Sequence, residues 1–153
     1  MKVLIDSNVI IDVLGKRLEF YKDSYLIMLL GLEGEIETIM SASAVTDVYY
    51  ILKKYINDSI TLREKIFILS NNIKICKATA EDITNAVILF IPDFEDSVIA
   101  AIARREKADY IITRNEADFT NSPVPAINPA EFLKRFFPDV KFEHTTSGLI
   151  DSF

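Results

Sequence analysis

Acidic and amide side chains occur at four places in this sequence and together carry the oxygen ligands that a divalent metal ion needs. They are Asp6 with Ser7 and Asn8; Asp47; Asp93, Glu95 and Asp96; and Asn115 with Asp118. Mg²⁺ and Mn²⁺ prefer carboxylate oxygens, amide carbonyls and water as ligands. A bound ion of this type lowers the pKa of a water molecule and stabilises charge on a phosphate under attack. The pattern therefore predicts a hard-metal site.

The secondary structure predicted around these residues would bring two of the four places together. Short apolar runs predict strands at residues 2–5, 37–40, 73–76, 109–113 and near 124–127. The strands alternate with helices and lack polar alternation, as expected for a parallel sheet that is covered on both faces. In such sheets the site lies beyond the carboxyl ends of the strands, where the strand order reverses. Residues just after Ile5 and just after Ile112 should therefore be neighbours.

Helical periodicity and capping signals predict helices between and after the strands. These helices cover residues 8–14, 20–32, 44–55, 62–69, 79–90, 93–107 and 129–137. Ser7, Ser43 and Thr61 are predicted to cap the first, third and fourth of them. Gly15 is expected to end the first helix and Pro92 the fifth.

Size and charge restrict how the chain can bind a partner. It has 153 residues, enough for one domain with a full core, and a formal net charge of −6. This charge argues against binding nucleic acid through bulk electrostatics, which favours a basic domain. It does not exclude a nuclease, because a metal ion inverts the local charge. Affinity for a polyanion must then come from a local basic patch, from metal or from a second subunit.

Cysteine usage and hydropathy favour a cytoplasmic protein without a membrane segment. No apolar run is long enough to span a bilayer, and the N-terminus lacks the longer apolar region of a signal peptide. The single cysteine, Cys76, cannot form an internal disulfide, and we expect it to be a small buried hydrophobe. The single histidine, His144, is expected on the surface rather than in a metal site.

Each acid also has a purely structural interpretation. An acid after a strand commonly caps the following helix. Asp93 and Asp96 have the spacing of a capping box, which satisfies backbone donors without any chemistry. Asp96 differs because apolar Ile99 and Ala103 turn its face of the helix inward, where an unpaired carboxylate is costly. A buried carboxylate cluster needs a cation, and few lysines or arginines lie near these positions in the sequence.

Two stretches of the chain resemble the PIN-domain family. The first is DSNVIIDVL at residues 6–14, which resembles the family's opening: an aspartate at the end of the first strand, then Ser or Thr, then Asn. The second comprises DFED at 93–96, an Ala-rich helix, ADYIITRN at 108–115 and DF at 118–119, and it resembles the family's C-terminal signature. The resemblance extends over nearly the whole chain up to about Phe137.

The resemblance implies a fold, a domain boundary and an activity. The fold would be α/β, a PIN-like three-layer α/β/α architecture with a central parallel sheet of four or five strands. The PIN domain would cover residues 1–137, and residues 138–153 would form a C-terminal tail that extends across the surface or onto a partner. The activity would be Mg²⁺- or Mn²⁺-dependent hydrolysis of RNA phosphodiester bonds by a VapC-like toxin that is paired with an antitoxin.

The resemblance also implies roles for individual residues. The expected catalytic residues are Asp6, Asp47, Asp96, Asn115 and Asp118, and the expected metal ligands are Asp6, Asp93, Asp96 and Asp118. Asp47 falls where the family usually has Glu, and Asn115 falls where many members have Asp. Ser7 and Asn8 would orient the ligands. Arg114 would contact phosphate or lie solvated on the surface.

The expected partners are RNA, an antitoxin and a second copy of the chain. The antitoxin would supply a peptide segment with an Arg or Lys side chain across the acidic cleft. The apolar helix predicted at residues 20–32 is either an exposed interface for one of these proteins or ordinary core.

Two other functions agree with parts of the pattern. One is an RNA- or protein-binding module that has lost catalysis, which Asp47 and Asn115 motivate because they depart from the family's usual residues. The other is a dehalogenase-like phosphotransferase, in which an aspartate after the first strand is the nucleophile. That family has a second Asp two residues later, where this chain has Asn8.

Overall fold

The structure, a computed structural model, describes residues 1–142, and its centre is one parallel sheet. The strands are β1 (Lys2–Ile5), β2 (Glu37–Ser41), β3 (Lys74–Cys76), β4 (Tyr110–Ile112) and β5 (Ala126–Ile127). Their order is β3-β2-β1-β4-β5, and every neighbouring pair is parallel. The order reverses between β1 and β4, which is where ligands bind in sheets of this kind.

Helices cover both faces of the sheet, so the three-layer α/β/α prediction is confirmed. They are α1 (Ser7–Leu14), α2 (Tyr21–Leu32), α3 (Ala42–Leu52), α4 (Ser59–Asn72), α5 (Ala80–Ile88), α6 (Phe94–Arg105) and α7 (Pro129–Phe136). A short 3-10 helix, Glu116–Phe119, follows β4. The central sheet has five strands, where four or five were predicted.

Successive strand residues point to opposite faces of the sheet and so feed two separate cores. In β1, Val3 and Ile5 pack into the core formed with α1 to α4 and α7, whereas Leu4 packs into the core formed with α5 and α6. All three side chains are at most 1% exposed. A strand that is buried on both faces needs apolar residues at every position, which explains the missing polar alternation.

The cap of α1 differs from the prediction. Asp6, not Ser7, is the N-cap, and its Oδ1 accepts a hydrogen bond from the Ser7 backbone N–H at 2.6 Å. The reason is that β1 ends at Ile5 and α1 begins only two residues later, so one residue must both leave the sheet and cap the helix. The first candidate ligand is therefore fixed at the junction of a strand and a helix.

The caps of α3 and α4 were also placed too late in the sequence. Ser41 caps α3, and Ser43 lies inside its first turn with its hydroxyl 2.9 Å from that of Ser41. Asp58 caps α4, and Thr61 Oγ1 donates to its carboxylate at 2.6 Å. Both helices begin earlier because a polar cap closer to the preceding element was available in each case.

Helix α2 contributes to the core, so the core alternative for the apolar segment at residues 20–32 holds for half of the helix. Half of its twelve residues are buried, and Ser24 and Ile27 are 0% exposed. The chain after α7 returns to this helix, because the ring of Phe142 lies edge-on at 5.3 Å from that of Tyr25. His144 and the rest of the predicted tail lie outside the described residues. No helix within residues 1–142 is long and apolar enough to cross a bilayer.

Cys76 ends β3 as a buried side chain, as predicted. It is 4% exposed, and burial raises the pKa of its thiol. A raised pKa keeps the sulfur protonated at neutral pH, which makes it a poor nucleophile and a poor metal ligand.

Gly31 lets α2 pack closely against β2. A Cβ at this position would lie 2.6 Å from Thr38 Cγ2 and 3.0 Å from Thr38 Oγ1. Thr38 is 7% exposed and belongs to β2, so its side chain has little space to move. The absence of a side chain at Gly31 therefore sets the distance between this helix and the sheet.

Gly31→Ala should lower the free energy of unfolding by about 1–3 kcal/mol, because overpacking outweighs the better helix propensity of alanine. The measurement is urea denaturation. Thr38→Ala removes the clashing atoms, so the double variant should lose less stability than the sum of the two single variants. Strict additivity of the two losses would show that the contact is not the cause.

Candidate functional site

A pocket of about 400 Å³ opens beyond the carboxyl ends of β1 and β4. It is lined by Asp6, Ser7, Asn8, Ile11, Arg17, Asp47, Tyr50, Ile51, Asp93, Glu95, Asp96, Ile99, Arg114, Asn115, Asp118 and Phe119. Every residue for which the sequence suggested a role in the site lies in this lining. The predicted meeting of the two strand ends is also confirmed, because the Asp6 N–H donates to the Ile112 carbonyl at 3.0 Å.

Asp6 is a buried carboxylate that is held from two sides. Its Oδ1 accepts from the Ser7 backbone, and its Oδ2 accepts from Asn8 Nδ2 at 2.7 Å and from Thr113 Oγ1 at 2.8 Å. Asp6 is 6% exposed, and burial raises the pKa of its carboxyl, an effect that the hydrogen bonds from Thr113 and Ser7 oppose. A carboxylate fixed in this way presents its remaining lone pairs in one direction.

Thr113 is a positioning residue that the sequence analysis did not single out. Its hydroxyl donates to Asp6 and accepts from Asn8 Nδ2 at 3.0 Å and from the Asn115 backbone N–H at 3.1 Å. The sheet register pairs Ile5 with Ile112, so the next residues on the two strands necessarily meet. A polar residue directly after β4 was the available signal.

Asp47 and Glu95 form a second acidic contact, between α3 and the start of α6. Asp47 Oδ2 is buried and has no hydrogen-bond partner among residues 1–142. A hydrogen bond with Asp47 raises the pKa of Glu95 to about 7, with burial and the nearby negative charges adding to the effect. Two carboxyl groups can form such a hydrogen bond only when one of them keeps its proton. The raised pKa of Glu95 means that this residue holds the proton more readily than an ordinary glutamate.

Glu95 was recognised as one acid of the group but was given no role. The apolar residues that follow Asp96 predict an inward-facing position for that acid, and no such pattern marks Glu95. Glu95 is largely exposed, yet the start of α6 brings it to the pocket beside Asp47. Its partner, Asp47, is distant in sequence, so the helical periodicity around Glu95 could not predict the contact.

Asp96 is the acid most affected by its neighbours. Burial raises its pKa to about 6, and the negative charges of Asp6, Asp93 and Asp118 contribute further. The following turn of α6 is buried, with Ile99 at 2% exposure, as the sequence predicted. The negative charges of three neighbouring acids therefore oppose the ionisation of Asp96.

Asp93, Asn115 and Asp118 lie at the exposed rim of the pocket. Asp93 caps α6, and its Oδ1 accepts from the Glu95 backbone N–H at 2.8 Å. The reciprocal half of the suggested capping box is not formed by Asp96 within the described residues. Asn115 and Asp118 stand before and within the 3-10 helix, which places both side chains after β4.

The chemistry of this pocket fits a hard divalent cation. Its polar lining is dominated by carboxylate and amide oxygens, and the unpartnered oxygen of Asp47 and the raised pKa values of Glu95 and Asp96 are the marks of uncompensated negative charge. Within residues 1–142, no group of three or more acidic, histidine or cysteine side chains is close enough together to hold a metal ion as it stands. The ligands would be Asp6 and Asp96, joined by acids at the rim.

Arg114 lines the pocket, but its ion pair is with Asp12, and its charge has only a minor effect on the pKa of Asp6. Its Nε lies 2.8 Å from Oδ2 of Asp12, off the line of a hydrogen bond, and its guanidinium carbon is 4.3 Å from the centre of the Phe20 ring. The Arg114 backbone N–H donates to Asn8 Oδ1 at 3.2 Å. The side chain is thus held at the rim rather than freely solvated.

A family model for the PIN domain matches residues 2–117 of the chain. A protein named Ribonuclease VapC1, from Aquifex aeolicus (strain VF5), is 25% identical to the chain over 140 residues, which cover 88% of the chain and 95% of that relative.

Solved structures with the same fold come from toxin–antitoxin assemblies. One is VapBC2 from Rickettsia felis bound to a DNA fragment from their promoter, with a TM-score of 0.65, 19% identity, and coverage of 84% of this chain and 98% of that one. Another is a toxin–antitoxin complex from Klebsiella pneumoniae, with a TM-score of 0.64, 21% identity, and coverage of 83% and 97%. At these identities the likeness establishes the fold alone.

In EDTA, the metal-free protein should become less stable as the pH rises from about 4 to about 7. The pKa of Asp96 is about 6 in the folded state against 3.8 ordinarily, so the stability that this raised pKa contributes is fully present below pH 3.8 and is lost as the pH rises through 6. Glu95 loses its proton through about pH 7 in the same direction. The free energy of unfolding should be measured by urea titration at each pH.

Asp96→Asn should make this pH dependence shallower, because it removes one of the two groups that titrate and leaves Glu95. Glu64→Gln, on the exposed surface of α4, should leave the pH dependence unchanged. A wild-type protein whose stability rises over the same interval would show that the acids of the pocket are not crowded.

Proposed function

This chain belongs to the PIN-domain family, and from that premise we propose that it is a divalent-metal-dependent endoribonuclease, the toxin of a type II toxin–antitoxin pair. The observation that carries the proposal is the gathering of acids from four separate segments into one pocket, where Asp96 has a raised pKa. The similarity to a protein named Ribonuclease VapC1 supports RNA as the substrate. Cellular RNA as substrate would place the activity in the cytoplasm.

In this proposal Asp6 and Asp96 hold the ion directly. Asp47 and either Asn115 or Asp118 complete the ligand set, partly through water, and Asp93 is an additional ligand at the rim. Held there, Mg²⁺ or Mn²⁺ would lower the pKa of a water and offset charge on the phosphate that is attacked. The structure supports this assignment because all six residues line one pocket.

The chain's own residues would orient the reacting groups. Thr113 and Asn8 fix the Asp6 carboxylate through hydrogen bonds of 2.8 and 2.7 Å, so its free lone pairs keep one direction. Ser7 adds a backbone donor on the other oxygen. A protonated Glu95 would limit the negative charge that an approaching RNA phosphate meets.

A binding module without catalysis is the alternative that the departures at Asp47 and Asn115 favour. Asp is one methylene shorter than Glu, so its carboxylate stands further from an ion at the pocket's centre. Calorimetry separates the two functions, since a pure binding module need not take up metal. An absence of heat at millimolar Mn²⁺ would favour the binding module. The dehalogenase-like alternative is disfavoured, because Asn8 donates to Asp6 instead of supplying a second acid.

An antitoxin is the partner that the acidic pocket suits best. A basic side chain of the antitoxin would occupy the place of the cation and would offset the charge of Asp96 and its neighbours. Toxin–antitoxin complexes are among the structures with this fold, which agrees with a peptide partner for this chain.

A second copy of the chain is the other proposed partner, and its contact surface would not be centred on α2, half of which is buried. Large apolar side chains at the end of α5 are exposed instead, with Val87 and Ile88 at 69% and Phe90 at 88%. Exposed apolar groups of this size commonly mark protein contacts. Sedimentation of a monomer at micromolar concentration would count against this contact.

Asp6→Asn and Asp96→Asn should each lower the rate of RNA cleavage with Mn²⁺ by about 100-fold or more, since each removes a ligand charge. Cleavage of a fluorescent single-stranded RNA is the measurement. Glu64→Gln is the matched control, because it makes the same change of charge outside the pocket. Turnover like that of the wild type in both pocket variants would remove the proposed mechanism.

Asp47→Asn should weaken Mn²⁺ binding by about 10-fold, whereas Asp47→Glu should retain it, because the longer acid still offers its charge to the ion. Calorimetric titration with Mn²⁺ measures this directly. Equal affinities for all three proteins would show that Asp47 takes no part in binding metal.

A further inference from the structure

We propose that Asp12, a buried residue outside the group of acidic ligands, is a positioning residue that holds Arg17 and Arg114 as a phosphate-binding pair at the rim of the pocket. The proposal rests on the proposed function, because the phosphate would be that of an RNA chain next to the scissile bond. The ligand chemistry is a phosphodiester anion contacted by two guanidinium groups.

Asp12 is a charge in the protein interior. It lies in α1 and is 0% exposed, and its Oδ1 has no hydrogen-bond partner within residues 1–142. Ser24 Oγ donates to Oδ2 at a long 3.4 Å. A buried carboxylate with so few hydrogen bonds depends on nearby cations for its stability. Those cations are Arg17 and Arg114, and both lie in the lining of the acidic pocket.

Arg114 is fixed from three directions. Its Nε is 2.8 Å from Asp12 Oδ2, its guanidinium stacks on Phe20 at 4.3 Å, and its backbone N–H donates to Asn8. The contact with Asp12 is an ion pair at Nε without hydrogen-bond geometry, and the Arg114 side chain lines the pocket, where a ligand can reach its guanidinium. A guanidinium fixed in this way loses little conformational entropy when it binds an anion.

Arg17 approaches the other oxygen of the same carboxylate. Its Nη1 is 3.9 Å from Asp12 Oδ1, and its side chain is 39% exposed. The Arg17 backbone N–H also donates to the Asp12 carbonyl at 3.0 Å, which fixes its position just after α1. A single carboxylate thus gathers two cations and can neutralise only one of them.

The positive charge of Arg17 and Arg114 that Asp12 does not neutralise lies in the lining of the acidic pocket, where it can attract the phosphates of an RNA chain. The protein has a formal net charge of −6, and the pocket adds local repulsion of a polyanion. Arg114 and Phe20 also line a neighbouring cleft of about 350 Å³, together with Asp23, Ser24, Asn128, Pro129 and Ala130. Arg114 therefore separates the acidic pocket from a second cleft, and a polymer that occupies both must cross it.

Asp12→Asn distinguishes positioning from simple electrostatics by the sign of its effect. The substitution makes the protein one charge less negative, so an electrostatic role alone predicts tighter RNA binding. Positioning predicts weaker binding, because the two arginines lose the group that holds them in place. Glu64→Gln makes the same change of charge on the exposed surface and serves as the control.

Binding of a labelled single-stranded RNA is measured by fluorescence anisotropy in EDTA between 50 and 200 mM KCl, conditions chosen so that cleavage does not intervene. Asp12→Asn, Arg17→Gln and Arg114→Gln should each weaken binding about 5-fold. In the two arginine variants the slope of log affinity against log salt should also fall by about 0.7. Arg63→Gln, on the exposed surface of α4, should change neither quantity by a comparable amount.

Three results would overturn the proposal. They are an unchanged affinity and salt dependence in Arg17→Gln and Arg114→Gln, tighter RNA binding by Asp12→Asn, and no RNA binding by the wild type. The arginine variants decide it even if Asp12→Asn fails to fold. A parallel assay of wild-type cleavage with Mn²⁺ reports separately on the nuclease. If the wild type cleaves RNA but the arginine variants keep its salt dependence, only the proposal of the arginine pair is wrong. If the salt dependence falls as expected but the wild type does not cleave RNA, the nuclease proposal is wrong and the arginine pair stands.

Discussion

The burial of one negative charge, the carboxylate of Asp6, organises this molecule. At 6% exposure it cannot be solvated by bulk water, so donors must come from the chain itself. They come from Ser7 and Asn8 after β1 and from Thr113 after β4. The hydrogen bonds that stabilise the charge also join the two strand ends at the place where the strand order reverses, so the site and the fold depend on the same contacts.

Around this fixed carboxylate the fold collects more negative charge than it neutralises. Asp96 and Glu95 have raised pKa values, and Asp47 has a buried oxygen without a hydrogen-bond partner in the described part of the chain. Crowding of this kind opposes folding near neutral pH in the absence of a cation. The two apolar cores on either side of the sheet offset it. Binding of a cation or a basic peptide would then relieve the repulsion.

Charge is also separated in space within this acidic protein. The acids lie in the pocket, while Arg17 and Arg114 stand at its rim, gathered by the buried carboxylate of Asp12. A net negative chain can in this way present a small positive surface next to a metal site. The two arrangements are linked through Asn8, which donates to Asp6 and accepts from the Arg114 backbone.

The sequence by itself determined the layered fold and the meeting of the two strand ends, because apolar runs, helical periodicity and the edge of a parallel sheet are local or topological properties. The tertiary structure decided the partners of individual side chains. Asp6 became the helix cap because β1 and α1 left no room for another residue, and Asp47 lies beside Glu95, about a third of the chain away in sequence. The counter-charge of Arg114 proved to be Asp12 rather than an acid of the pocket. Periodicity gives the face on which a residue lies, whereas packing alone selects the atom that it touches.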